Sequence, residues 1–180
     1  MSATSVAQEI AGLYKIIPMK IFRRTPGVSF DCLSVKDLPR IDAIDRVLHV
    51  GGAVSPGPVG DVERPWYMHP YQADNLMVLS GERHVEIYTP QHGRIVKVDV
   101  TADKIVIDGE LAYDGPGMLV WPCNVFHRIR SCPQKGSASV NYAVHYEGFN
   151  IRTNFNIYDL NTETGEYHLI REGHLDQSNG

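Results

Sequence analysis

Cysteine is scarce in this chain, and so is any excess of positive charge. Only Cys32, Cys123 and Cys132 occur. Their odd number and the lack of a Cys-x-x-Cys pair argue against a disulfide framework and against a structural zinc knot. Lysine and arginine number 17 against 21 aspartates and glutamates, a net charge of -4, so the clustered basic face of a nucleic-acid binder is missing. The one local basic cluster, Lys20, Arg23 and Arg24, reads as solvated surface. No apolar run approaches the roughly 18 residues of a membrane-spanning helix. The opening residues carry Glu9 and lack the basic start and apolar stretch of a secretory signal. Neither nucleic acid nor membrane is expected as a partner, and the expected location is the cytoplasm.

Long amphipathic helices are also wanting. Only Thr4 to Leu13 has a helical pattern, with Val6, Ile10 and Leu13 on one face and Thr4 or Ser5 as cap; a short N-terminal helix is expected there. What the chain does have, from Val28 onward, is a succession of short alternating segments separated by Gly, Pro and Asp, the pattern of an all-β sandwich or barrel. The clearest are Arg46 to Val50, Asn75 to Leu79, Arg83 to Tyr88, Arg94 to Val100, Met118 to Trp121, Ser139 to Tyr146 and Asn154 to Asp159, with a last hairpin onto Tyr167 to Arg171. The expected organisation is an extension over 1–27, a barrel over 28–175 and a frayed tail over 176–180.

Two segments place metal-capable or acid/base side chains beside turn residues. In Pro65-Trp-Tyr-Met-His69-Pro-Tyr-Gln-Ala-Asp74 through Gly81, the strand period puts Asp74, Leu76, Val78 and Ser80 on one face. His69 has the opposite parity, but Pro70 cannot join a ladder, and a break at 70–73 lets both His69 and Asp74 point inward. In Pro116-Gly-Met-Leu-Val-Trp-Pro122-Cys-Asn-Val-Phe-His127, a strand and a proline turn present His127. Two imidazoles and a carboxylate are the donor set that suits Fe(II), with Mn, Ni or Zn also served. Tyr67 is a candidate fourth ligand, and Gln72 a brace for a ligand. Tyr71, Trp66 and Phe126 read as apolar wall or core. His84 reads as outward-facing, and His145 is a further pocket candidate.

These segments resemble the paired motifs of the cupin superfamily. The first runs Gly, five residues, His-x-His, three or four residues, Glu, six residues, Gly; His69 stands at the second His, Asp74 at the Glu and Gly81 at the last Gly, with Tyr67 in place of the first His and Gly60 one position from the first Gly. The second runs Gly, five residues, Pro-x-Gly, two residues, His, three residues, Asn. Pro122 and His127 match it, Asn124 and Ser131 replace the Gly and the Asn, and Gly117 is one residue too near Pro122. The resemblance implies an RmlC-like cupin, a double-stranded β-helix or jelly roll, with His69, Asp74 and His127 as ligands of a divalent metal.

The run His69-x-x-Gln72-x-Asp74, with Val85-Glu-Ile-Tyr88 beyond it, also looks like the pocket strands of cupins related to the sugar-nucleotide 3,5-epimerases of rhamnose biosynthesis. That resemblance implies metal-free chemistry, with His69 as base and Tyr67 or Tyr71 as acid. Those epimerases carry a basic residue where Asp74 stands. Three functions stay open: a metal-dependent oxygenase, lyase or isomerase on a small organic substrate; a metal-free epimerase or isomerase on a sugar-nucleotide-like substrate; and a non-enzymatic metabolite-binding cupin. By the same resemblance a homodimer is expected.

Overall fold

The computed structural model describes residues 6–34, 38 and 40–178. The strands in chain order are β1 (Gln8–Ile10), β2 (Tyr14–Pro18), β3 (Lys20–Thr25), β4 (Val28–Cys32), β5 (Ala43–His49), β6 (Val54–Ser55), β7 (Trp66–Met68), β8 (Gln72–Tyr88), β9 (Val96–Thr101), β10 (Lys104–Ile107), β11 (Glu110–Asp114), β12 (Gly117–Trp121), β13 (Phe126–Ser131), β14 (Ser137–His145), β15 (Ile157–Leu160) and β16 (Tyr167–Arg171). One helical turn, α1 (Ile151–Asn154), and a 3-10 turn at Gly173–Asp176 complete the described chain.

The 17-residue β8 organises the molecule. Its first half pairs with β12 and β14, and its second half with β13 and β9. It therefore passes from one antiparallel layer into the other, as in a jelly roll. A bulge makes the passage: Ala138 opposes Ser80 while Ser139 opposes Val78, leaving Leu79 as the extra residue. An extra residue inverts the parity of everything after it. Before the bulge Asp74, Leu76 and Val78 are buried; after it Arg83, Val85 and Ile87 are. Ser80, expected on the inner face, is exposed for this reason. The interior between the layers is packed with Ile16, Leu76, Val78, Val85, Ile87, Val98, Leu119 and Trp121, each aliphatic contributing roughly 1.5–3 kcal/mol by leaving water.

Among the described residues the expected N-terminal helix is not present. Residues 8–10 form β1, Gly12 turns the chain at φ +77, and β2 returns antiparallel before pairing with β12. A glycine in the left-handed region favours a tight turn over a continuing helix, and Tyr14, Ile16 and Ile17 are worth more inside the barrel than on a helix face. Thr4 and Ser5, the expected caps, lie outside the described residues. The barrel sheet thus begins at β1 and β2, ahead of residue 28, while β3 and β4 form a separate two-stranded hairpin. Residues 154–156, expected as strand, belong to or follow α1, because the Asn150 side chain accepts from the Arg152 N–H and caps a helical turn. Within the expected tail, Gln177 donates to the Ile151 carbonyl at 2.6 Å. No described helix is long and apolar enough to cross a membrane.

Candidate metal and substrate site

His69 follows β7, Asp74 sits near the start of β8, and His127 lies on β13 opposite Tyr67. Residues 69–71 break the ladder between β7 and β8, and the register is reset so that His69 and Asp74 both point inward. All three side chains are buried, and one ligand atom from each lies within 4.8 Å of the others. The imidazole centroids are 4.7 Å apart.

The orientation of each ring is set by the main chain. His69 Nδ1 faces the carbonyl oxygen of Asn154, and His127 Nδ1 faces that of Val125 at 3.1 Å. A carbonyl only accepts, so each Nδ1 carries a proton, and in the neutral ring the lone pair is left on Nε2. Asp74 Oδ1 accepts from Gln72 Nε2 at 2.8 Å and from Asn141 Nδ2 at 2.7 Å. Asp74 Oδ2 is buried with no hydrogen-bond partner, 3.7 Å from His69 Nε2. Gln72 is held in turn by Asn154 Nδ2 on its Oε1 at 2.9 Å. Burial, reinforced by the neighbouring His69, pulls the pKa of His127 down to about 4, so its ring is neutral at ordinary pH.

With neutral imidazoles the three side chains make a donor set that fits a divalent cation. The site opens on an interior cavity of about 230 Å³ lined also by Tyr67, Trp121, Phe155, Asp45, His49 and Arg83. Tyr67 stacks 6.3 Å from His69 and 5.9 Å from His127, and burial raises its pKa, leaving a neutral phenol. Phe155 closes over His69 at 5.2 Å.

Several sequence expectations separate here. Tyr67, His69, Gln72, Asp74 and His127 come together, whereas Tyr71 is 47% exposed and does not line the cavity; its ring packs against Gly148, on the outer side of the break that turns His69 inward. His145 stacks on Phe149 at 3.5 Å and also stays outside. Trp66 and Phe126 are core. His84 faces outward and bonds Asp99 at 2.7 Å. It borders a cleft in which Glu86 pairs with Arg128 at 2.5 Å and lies 3.6 Å from Arg64.

Asn141, Asn154, His49 and Arg83 were not anticipated. A signal existed for Arg83 alone, because it shares parity with Val85 and Ile87 on the face opposite His84.

No family model matches the chain, and no curated protein matches it in sequence. Solved structures do. A dTDP sugar isomerase from Desulfovibrio desulfuricans G20 superposes with a TM-score of 0.56 at 16% identity, covering 80% of this chain and 83% of the other. A dTDP-4-dehydrorhamnose 3,5-epimerase from Sulfolobus tokodaii gives 0.56 at 17%, covering 82% and 78%. The sugar 3,4-ketoisomerase QdtA from Thermoanaerobacterium thermosaccharolyticum, in complex with TDP, gives 0.54 at 13%, covering 77% and 84%. At these identities the likeness establishes the fold alone, an all-β jelly roll shared with these sugar isomerases and epimerases.

Proposed function

We propose that this cupin is an enzyme that holds one divalent metal ion on His69, Asp74 and His127 and acts on a small organic molecule in the barrel interior. The observation that carries the reading is the convergence of one ligand atom each from His69, Asp74 and His127 within 4.8 Å, with Asp74 Oδ2 buried and unpartnered. Buried acceptors that face one another repel, and a cation satisfies all three at once. When bound, such an ion polarises a substrate carbonyl or offers open positions to substrate and dioxygen. The chain's own residues do the remainder. Gln72 and Asn141 fix the carboxylate, Asn154 and Val125 fix the rings, Phe155 and Trp121 exclude water, and Tyr67 stands ready as a neutral donor.

A metal-free keto-sugar isomerase or epimerase is the second reading. Its supporting observation is the geometry of His69 between Tyr67 and Asp74: Nε2 is placed to take up a substrate proton, and the imidazolium so formed pairs with Oδ2, 3.7 Å away. His69 then acts as base and Tyr67 as acid. The printed activities of the structural neighbours favour this reading over the first. The cavity favours the first: its 230 Å³ fall below the usual 300–1,000 Å³ of ligand pockets, and among the described residues Arg83 is its only lysine or arginine.

Elemental analysis of untagged protein, as purified and after anaerobic loading with Fe(II), Mn, Ni or Zn, is expected to give about one ion per chain. No stoichiometric metal after loading would overturn the first reading, and His69-dependent deuterium exchange into a keto-sugar nucleotide would establish the second. Ligand binding with no turnover would mark a metabolite-binding protein.

The β3–β4 hairpin leaves Phe22 72% exposed, with Ile21, Val28 and Phe30 also in solvent. A lone two-stranded hairpin is marginal in water, and a second copy of the chain is the proposed cover. Sedimentation equilibrium is expected to show a dimer that Phe22→Ser with Phe30→Ser dissociates; a monomeric parent at micromolar concentration refutes it.

A further inference from the structure

We propose that Arg83 binds a carboxylate of the substrate, so that the molecule acted on is a small organic acid with its anionic end at Arg83 and its reacting end at the His69, Asp74 and His127 centre. The inference rests on the metal reading above and specifies its substrate class.

Arg83 is 2% exposed, yet among the described residues no carboxylate forms an ion pair with it. Buried arginines are nearly always paired, because an unpaired charge in the interior is strongly unfavourable. Its Nε donates to Ser137 Oγ at 3.1 Å, and Nη2 reaches the Val47 carbonyl only at 3.5 Å. Ser137 Oγ is bonded to Ser131 Oγ at 2.8 Å, and Ser131 Oγ to His49 Nδ1 at 2.9 Å. This chain of neutral groups fixes one edge of the guanidinium without neutralising it. Burial and the charge of Arg83 pull the pKa of His49 down to about 4, so His49 adds no second cation. Burial lowers the pKa of Arg83 to about 10, and it remains charged at neutral pH.

Charge and shape agree on the ligand. The cavity lining holds the carboxylates of Asp45 and Asp74 and one guanidinium; a divalent ion leaves one positive charge for a monoanion to neutralise. Arg83 pairs in register with Ser131, four positions along β13 from His127, a span of about 13 Å of strand that the two inward side chains shorten. Between the two ends the lining includes Val47, Leu76 and Ile129, an apolar wall suited to a short carbon chain. A planar guanidinium with a free edge is the group best matched to a carboxylate.

The test is isothermal titration of the metal-loaded full chain with propionate, butyrate and 2-oxobutyrate, each against its primary amide, with metal content measured on the same samples. The acids are expected to bind at least about tenfold tighter than the amides. Arg83→Gln is expected to erase that preference with metal content unchanged, and Arg83→Lys to retain part of it. Should Arg83→Gln fail to fold, Arg83→Lys decides, since losing the planar fork must weaken acid binding relative to amide binding.

Equal binding of acids and amides, no binding of any acid, or a preference that survives in Arg83→Gln each overturns the assignment; the last outcome places the carboxylate on the metal. A protein that holds no metal but keeps an Arg83-dependent preference for acids overturns the metal reading, and with it the reacting end assigned here, while Arg83 stands as the carboxylate site.

Discussion

Asp74→Asn is expected to weaken metal binding by more than about 100-fold while making the metal-free protein more stable by about 1–3 kcal/mol. The two effects share one cause. Asp74 Oδ1 already has two donors, Gln72 and Asn141, whereas Oδ2 has none and faces the Nε2 lone pair of His69. In an asparagine the amide nitrogen takes the place of Oδ2 and donates to that lone pair. A buried charge and a buried orphan are removed together, and the interior relaxes. The carboxylate that would anchor a cation is lost with them. Metal titration measures the first effect, and urea unfolding of chelator-treated protein the second. Unchanged metal affinity, or a variant less stable than its metal-free parent, would show that Oδ2 is not held in reserve for a cation.

Gly81→Ala is expected to remove more than about 3 kcal/mol of stability, enough to unfold much of the protein at ambient temperature. Gly81 has φ +73, and a β-carbon there would lie 2.0 Å from the Gly136 carbonyl oxygen and 2.9 Å from Ser137 Cα. Both obstacles are backbone of the neighbouring turn and strand, so no side-chain rotation relieves them. The comparison is Gly109→Ala, where φ is +87 but nothing lies within 4 Å; only the left-handed strain applies, about 1–2 kcal/mol. Equal losses in the two variants would mean that the crossing of β8 past Gly136 is not as close as described.

Strand parity and the proline break placed His69 and Asp74 correctly, while the register beyond Val78 escaped them. The strand period placed Asp74 beside Leu76 and Val78, and Pro70 signalled the break that brings His69 to the same interior. Local pattern sufficed because each inference needed only a few adjacent residues. Ser80 was misplaced because the bulge at Leu79 is defined by its partner β14, some sixty positions away in sequence, and no local pattern announces it.

The N-terminal segment failed for a different reason. Val6, Ile10 and Leu13 satisfy a helical period, but Gly12 and the chance to bury Tyr14, Ile16 and Ile17 in the barrel outweigh intrinsic preference. Asn154 was invisible because what it offers His69 is its peptide carbonyl, and composition says nothing about that.

That last point extends to both imidazoles. The anchors of His69 and His127 are peptide oxygens, and a peptide oxygen belongs to every residue type. Replacement of the Val125 side chain leaves the oxygen that holds His127 in place, so an alanine scan would pass over the group that sets its tautomer. Over evolutionary drift, Val125 could change without disturbing the direction of the ring's lone pair, provided the local path of the chain is inherited. In this fold that part of the ligand geometry is a property of backbone shape, and a substitution table would not reveal it.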